Sequence, residues 1–310
     1  MMLTVIGEAL IDEVLSDTAP PRAHVGGSPL NVAVGLARLG HSAQFLGQFG
    51  DDEFGRRIHQ HLADNSVLVP LPADSHSTSV ASARLDPAGG ATYTFKLSWE
   101  LPDLAAHDDL LNGTTLVHTG SIASMLAPGA REVLAAIQHA RPFATVSYDP
   151  NCRPTIITDA DYARAQAEKF VALADVVKAS DEDLEWLYPE QDHRESARRW
   201  LELGPAVVVV TRGSKGPWAV VDRGECEVPA PATSVVDTVG AGDSFMAALL
   251  SALVDRELVG GQRRNELRAL SVEQMQGVLA FAAAAAAVTV SRAGANPPTR
   301  AELRAQGVYA

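Results

Sequence analysis

Asp237-Thr238-Val239-Gly240-Ala241-Gly242-Asp243-Ser244-Phe245, followed by Met246-Ala247-Ala248-Leu249-Leu250, carries the strongest local signal in the chain. A Gly-Ala-Gly turn feeding an apolar helix exposes main-chain N–H groups at a helix N-terminus, where partial positive charge collects. Such a turn can cradle phosphate oxygens. Asp243, at the mouth of that helix, is favoured as the carboxylate, so it is expected to be ionised at neutral pH and able to accept a proton from a nearby hydroxyl. The segment then pairs an anion cradle, built on Gly240, Ala241 and Gly242, with a base. A plainer reading makes Asp243 a helix cap behind a glycine turn.

Outward from this stretch, short apolar β-branched runs alternate with longer amphipathic segments, the pattern of crossover units on a mostly parallel sheet. Strands are expected at Leu3–Ile6, Ala43–Leu46, Thr115–His118, Ala144–Tyr148, Val176–Lys178 and Ala206–Thr211. Helices are expected at Leu30–Leu39, Phe54–Leu62, Ala130–Ala140, Tyr162–Leu173 and Arg194–Leu203, where apolar residues recur every three or four positions. The fold class is α/β, a three-layer α/β/α sandwich. The rhythm breaks from Thr78 to Trp99, which alternates with period two around Asp86-Pro87-Ala88-Gly89-Gly90, as an antiparallel hairpin does. Tyr93, Phe95 and Trp99 give this hairpin an aromatic surface, so it reads as a lid over a site rather than an edge extension. By alternation Tyr93 and Phe95 share one face, and either cap a ligand or meet a partner subunit. The C-terminal third is helix-rich, and its Ala282–Ala287 run is expected to pack closely.

Composition narrows the function classes. The 310 residues carry 25 Lys+Arg against 38 Asp+Glu, a formal charge of −13, and no basic cluster offsets it. Nucleic acid is therefore excluded as a partner. Hydrophobic residues at 46% and charged residues at 20% support a large core and argue against long disorder. Cys152 and Cys226 stand far apart, which excludes a disulfide framework and points to a reducing, cytoplasmic setting. Met1 to Ile6 runs into an apolar segment without a basic region before it, unlike a signal peptide. Ala206–Val210 and Leu279–Val290 fall short of the roughly 20 residues of a bilayer span, so no membrane is expected. The nine histidines show no metal-ligand spacing. A dinucleotide-dependent oxidoreductase would need Gly-x-Gly-x-x-Gly after the first strand, where Gly7-Glu8-Ala9 stands instead.

A second glycine cluster, Gly26-Gly27-Ser28-Pro29-Leu30-Asn31-Val32-Ala33, precedes Gly40 and Gly50. Adjacent glycines before a helix let a ligand approach the backbone, and Asn31 offers a polyol both a donor and an acceptor; the same residues also suit a tight turn. Asp12 follows the first strand, at the carboxyl-end side where α/β sheets bind ligands. The cluster resembles the N-terminal signature of the ribokinase-like (PfkB) carbohydrate kinases, and Asp237 to Leu250 resembles their C-terminal signature. The hairpin, Asp149-Pro150-Asn151-Cys152-Arg153 and Val210-Thr211-Arg212-Gly213-Ser214-Lys215-Gly216 are similar to family segments in family order, so the resemblance covers nearly the whole chain.

The resemblance implies one kinase domain over 1–310, with a small β-sheet lid from segments about 12–28 and 72–104. It makes Asp243 the catalytic base toward a terminal sugar hydroxyl and the amides of Gly240, Ala241 and Gly242 the anion hole. Asp12, Gly27, Asn31, Arg153 and Phe95 fall to the sugar; Thr211, Gly213, Gly216 and Asn296 fall to ATP. Magnesium is implied near Asp183, although Ser180-Asp181-Glu182-Asp183 stands where many relatives carry Asn-x-x-Glu, and Ser180 with Asp183 equally makes a helix start. Asp237 matches a position near a potassium-type monovalent cation. Arg153 resembles fructokinases and also 2-keto-3-deoxygluconate kinases, where a guanidinium meets a substrate carboxylate or phosphate; a structural salt bridge is the alternative. Fructose is the expected acceptor, with 2-keto-3-deoxygluconate, ribose and adenosine as alternatives and a homodimer through the lid as the implied assembly. A sugar-binding regulator that keeps the fold without catalysis is the competing class.

Overall fold

The computed structural model describes residues 1–16, 20–85 and 91–309. Its strands in chain order are β1 (Met2–Ile6), β2 (Leu10–Ser16), β3 (Arg22–Gly26), β4 (Ala43–Leu46), β5 (Ser79–Leu85), β6 (Ala91–Lys96), β7 (Thr114–Gly120), β8 (Thr145–Asp149), β9 (Val176–Ser180), β10 (Val207–Thr211), β11 (Trp218–Val221) and β12 (Gly224–Glu227). The larger sheet has the order β12-β11-β10-β9-β8-β7-β1-β4. From β4 to β10 it is parallel, and β11 and β12 extend it as an antiparallel edge. A separate sheet has the order β3-β2-β5-β6.

Both faces of the larger sheet are covered, and β10 shows why its sequence is a continuous valine run. Val207 and Val209 join the core that holds Phe245, Leu249 and Leu279, while Val208 and Val210 join the core that holds Val133, Phe170 and Trp200. Side chains alternate across a strand, so a strand buried on both faces must be apolar at every position. Each buried valine contributes about 1.5–3 kcal/mol. On the first of these faces the helices Ser28–Arg38 and Ala241–Asp255 pack against each other. They meet closely: a Cβ at Gly35 would stand 2.6 Å from the Ala247 Cβ. This approach sets the N-termini of the two helices side by side.

The six expected strands and five expected helices all form, with ends shifted by a few residues. β2 and β3 follow from the family resemblance and not from pattern, because Leu10-Ile11-Asp12-Glu13-Val14-Leu15-Ser16 spaces its apolar residues as a helix would. β11 and β12, four residues each, carried too little periodicity to be read. The hairpin is present as β5 and β6, while its Asp86–Gly90 turn lies outside the described residues. Trp99 departs from expectation: it lies past β6 and is buried, its indole N–H donating to the Ala123 carbonyl at 3.1 Å. Val272–Val290 forms a single 19-residue helix, longer than the apolar stretch read from sequence and long and apolar enough to cross a membrane. It runs against Ala241–Asp255 with Met275, Leu279, Phe281 and Ala282 buried.

Candidate active site

A cavity of about 980 Å³ opens at the carboxyl ends of β1, β7, β8, β9 and β10, with Leu10 and Asp12 of β2 in its wall. Ligands gather at this edge of an α/β sheet because the strands stop there and helices begin. The N-termini of Ser28–Arg38 and Ala241–Asp255 both reach it.

Asp243 is the third residue of its helix and is buried, yet it lines the cavity. Its Oδ1 accepts from the Ser28 hydroxyl at 2.7 Å and its Oδ2 from the Asn31 side-chain amide at 2.8 Å. Gly240 caps the helix in the left-handed region (φ 74°), where a Cβ would stand 2.6 Å from that of Ala295. A glycine cap has no side chain to bond the first-turn amides. Among the described residues the amides of Gly240 and Gly242 meet no acceptor, whereas that of Ala241 donates to the Thr238 carbonyl at 3.2 Å. A carboxylate beside unpartnered amides can remove a proton from a hydroxyl and hold a developing anion.

Lys178 completes this end and escaped the sequence reading. Its Nζ lies 3.2 Å from where a Cβ on Gly242 would be, and 2.8 Å from Asp149 Oδ2. Both partners are buried, with side chains 4% and 1% exposed. Burial alone would lower the lysine, but Asp149, Asp183 and Asp243 raise it overall, so the ammonium stays charged. A signal was present: a lysine inside an apolar strand run needs a buried counter-charge, and Asp149 ends the neighbouring strand.

Asp12, Gly27 and Arg153 share the cavity wall with Asn31, which bonds Asp243. Gly27 has φ 112°, and a Cβ there would meet the Glu8 carbonyl at 2.5 Å. Burial raises the Asp12 carboxyl, against the opposing pull of Arg153 and His24. Arg153 Nη1 donates to Asn151 Oδ1 at 2.7 Å and to the carbonyls of Asn151 and Cys152 at 3.0 Å. Thr211 and Gly213 also line the cavity.

Four of the expected residues stand outside the wall. Phe95 stacks on Tyr93 with ring centroids 6.3 Å apart, on the face that alternation assigned to both. Gly216 (φ 80°) passes so close to the Val228 carbonyl that a Cβ would lie 2.1 Å from it. Asn296 gives its side-chain oxygen to the Arg38 guanidinium. Asp237 accepts from the amides of Val239 and Gly294 at 3.0 and 2.8 Å, which hold its carboxyl below the usual range.

Asp183 does line the cavity, with both oxygens accepting main-chain amides: Ser180 at 2.8 Å and Cys152 at 2.7 Å. Among the described residues no three His, Cys, Asp or Glu side chains gather as a metal site. Asp183 already gives both oxygens to main-chain amides, so a magnesium ion here would be met through water rather than by a protein cage.

A site of this kind, at this place in the fold, serves phosphoryl transfer to an alcohol. The pattern described as pfkB family carbohydrate kinase matches residues 2–302, and the chain belongs to that family. It is a phosphotransferase with a hydroxyl acceptor, which sets aside the regulator and oxidoreductase readings. A fructokinase of Rhizobium leguminosarum bv. trifolii is 33% identical over 263 residues, covering 81% of this chain and 79% of that protein. The crystal structure of a Xylella fastidiosa fructokinase with bound ATP matches with TM-score 0.87 at 26% identity over 99% of both chains. A double-mutant fructokinase of Vibrio cholerae O395 in a fructose-, ADP- and potassium-bound form matches with TM-score 0.79 at 28% identity, covering 98% of this chain and 97% of that one.

Proposed function

We propose that this protein is an ATP-dependent fructokinase that transfers the γ-phosphoryl group to a terminal hydroxyl of fructose. The observation that carries the reading is the Asp243 carboxylate, oriented by Ser28 and Asn31 and set beside the free amides of Gly240 and Gly242. The fructokinase relatives, with ATP, ADP and fructose bound in their structures, support the substrates.

Asp12, Gly27, Asn31 and Arg153 are proposed to hold the sugar, and Thr211 and Gly213 to wall the nucleotide. Asp243 takes the hydroxyl proton as that oxygen bonds to the γ-phosphorus and the bond to the ADP oxygen breaks. The proton then leaves Asp243 for solvent. Charge spread over the phosphoryl oxygens is met by the amides of Gly240 and Gly242 and by the Lys178 ammonium, and one such donor is worth about 10²–10³ in turnover. Ala241 adds its amide if it releases Thr238. Asp183 would meet a nucleotide-borne magnesium ion through water, and such an ion would add neutralisation. Asp237 would be the residue near a potassium-type monovalent cation. Gly216 and Asn296 act on the nucleotide side only by shaping its surroundings, because neither lines the cavity. The small sheet serves as the lid of a single 1–310 domain and excludes water as an acceptor. A homodimer through that sheet and a cytoplasmic setting complete the proposal.

The test is ADP release with ATP and magnesium, comparing fructose, 2-keto-3-deoxygluconate, ribose and adenosine. Fructose should give the highest kcat/KM and a product phosphorylated on a terminal carbon. ADP formation that no acceptor in the panel stimulates would end the reading.

A further inference from the structure

Asp149 ends β8 with its side chain 1% exposed, and the proposed transfer gives it no part. Its Oδ2 lies 2.8 Å from Lys178 Nζ, and among the described residues no other donor meets that oxygen. Its Oδ1 accepts the Asn151 amide at 3.1 Å. Asn151 has φ 37°, a left-handed conformation that a side-chain-bearing residue keeps only when its surroundings hold it. The carboxylate is thus anchored on one side by a turn of its own chain, which aims the other oxygen at the lysine.

Lys178 comes from β9, the neighbouring strand, and lines the cavity at Gly242. An ammonium carries three N–H groups, and among the described residues Asp149 is its one ion-pair partner, so donors remain for a ligand oxygen. The wall holds two further cations, and both are answered elsewhere: Arg153 by Asn151 and Cys152, Arg212 by Glu227 and the Gly216 carbonyl, each at 2.9 Å. Asp183 and Asp243, the other acids that act on the ammonium, turn their oxygens to other donors. Among the described residues the remaining acids of the wall, Glu8, Asp12, Asp181 and Glu182, make no ion pair with it. A buried ammonium follows its counter-charge. Asp149 therefore decides where this one stands.

We propose that Asp149 is a positioning residue for phosphoryl transfer: it touches no reacting atom, and acts by holding the Lys178 ammonium beside the Gly242 amide, where charge gathers on the transferred group. This rests on the sugar-kinase reading and deepens it. Stability does not account for the pair, because apolar side chains of similar volume in place of a buried ion pair often fold as well or better.

A double-mutant cycle tests the proposal, with kcat and KM for fructose and ATP measured in full-length wild type, Asp149→Asn, Lys178→Gln and the double variant. Asparagine keeps an oxygen for the Asn151 amide and removes the charge that faces the lysine. Asp149→Asn should lower kcat at least about tenfold with KM for fructose little changed, and Lys178→Gln should lower it about 10²–10³-fold. In the double variant kcat should match that of Lys178→Gln within about threefold, because residues that act as a unit do not contribute separately. Losses that multiply would give Asp149 a structural role apart from the lysine and overturn the proposal, as would full kcat in Asp149→Asn. Recovery of Asp149→Asn at raised magnesium would assign the carboxylate to the nucleotide's metal, and overturns it too. Should Asp149→Asn not fold, Asp149→Glu keeps the pair but moves the ammonium; it should lose at least about tenfold in kcat, and wild-type kcat there would sink the idea. Should the wild type phosphorylate no acceptor, the kinase reading falls, and the same cycle run on calorimetric dissociation constants for ATP judges the pair: coupled losses uphold it and independent ones overturn it.

Discussion

Asp183 and Asp243 hold the same position, third in the first turn of a helix, and are used in opposite ways. Asp183 turns back to its own cap: Ser180 and Asp183 form a reciprocal capping box, and the other oxygen of Asp183 binds the Cys152 amide. Asp243 turns outward, to side chains 215 and 212 positions away in the chain. The difference lies in the cap. Serine at the first helix accepts a first-turn amide on its hydroxyl and donates its own main-chain amide to the aspartate; glycine at the second has no hydroxyl and its amide does not meet Asp243, so amides and carboxylate both stay available. A third helix, Arg300–Ala305, repeats the closed arrangement with Thr299 and Glu302. A helix start becomes a candidate for chemistry when its cap withholds a side chain.

The sharpest way to break this comparison is Asp243→Asn, which keeps the shape and removes the base. Turnover with the best sugar should fall by about 10²–10⁴-fold, while the melting temperature changes little; near-normal turnover would make Asp243 a structural residue like Asp183. Gly240→Ala comes next. Its Cβ meets Ala295 in a backbone conformation alanine dislikes, so denaturant unfolding should show a loss of about 1–3 kcal/mol together with reduced turnover. Full stability would mean the glycine is not required there. Ser180→Ala opens the closed helix start and should cost about 0.5–2 kcal/mol in the same assay, with kcat within a few-fold of wild type. A collapse of kcat would place the Ser180 turn in the chemistry after all.

The smallest effect concerns Glu302, whose carboxyl is held down at about 2 by the Thr299 amide and by Arg292. A lowered folded-state value contributes stability above the unfolded carboxylate range, and that contribution is lost as pH falls through the range toward the folded value. The stability difference between wild type and Glu302→Gln should therefore narrow between about pH 4.5 and 2. A constant difference across that window would show that the cap does not depend on charge.

Much of the scaffold was legible because its signals are local. The valines of β10 and the three-to-four spacing of Arg194–Leu203 announce their elements within a few residues, and the glycine motif announces an open helix start. Legibility ended where partners are distant. Nothing near Asn296 reveals that Arg38 takes its side chain, and the alternation that put Phe95 and Tyr93 on one face could not say whether that face lines the cavity. Lys178 could have been flagged as a charge within an apolar run, but its partner Asp149 belongs to another strand.

By itself the chain determined the alternation of strand and helix, the two-faced burial of the sheet and the two glycine-led helix starts, since periodicity and caps act over one or two turns of backbone. Tertiary structure alone decided that Ser28 and Asn31 would orient Asp243, that Lys178 would stand behind Gly242, and that Asp149 would meet that lysine from the neighbouring strand. Hydrogen bonds and ion pairs act over about 3 Å in space, and residues that meet at that distance are set by how helices pack on the sheet, not by their spacing along the chain.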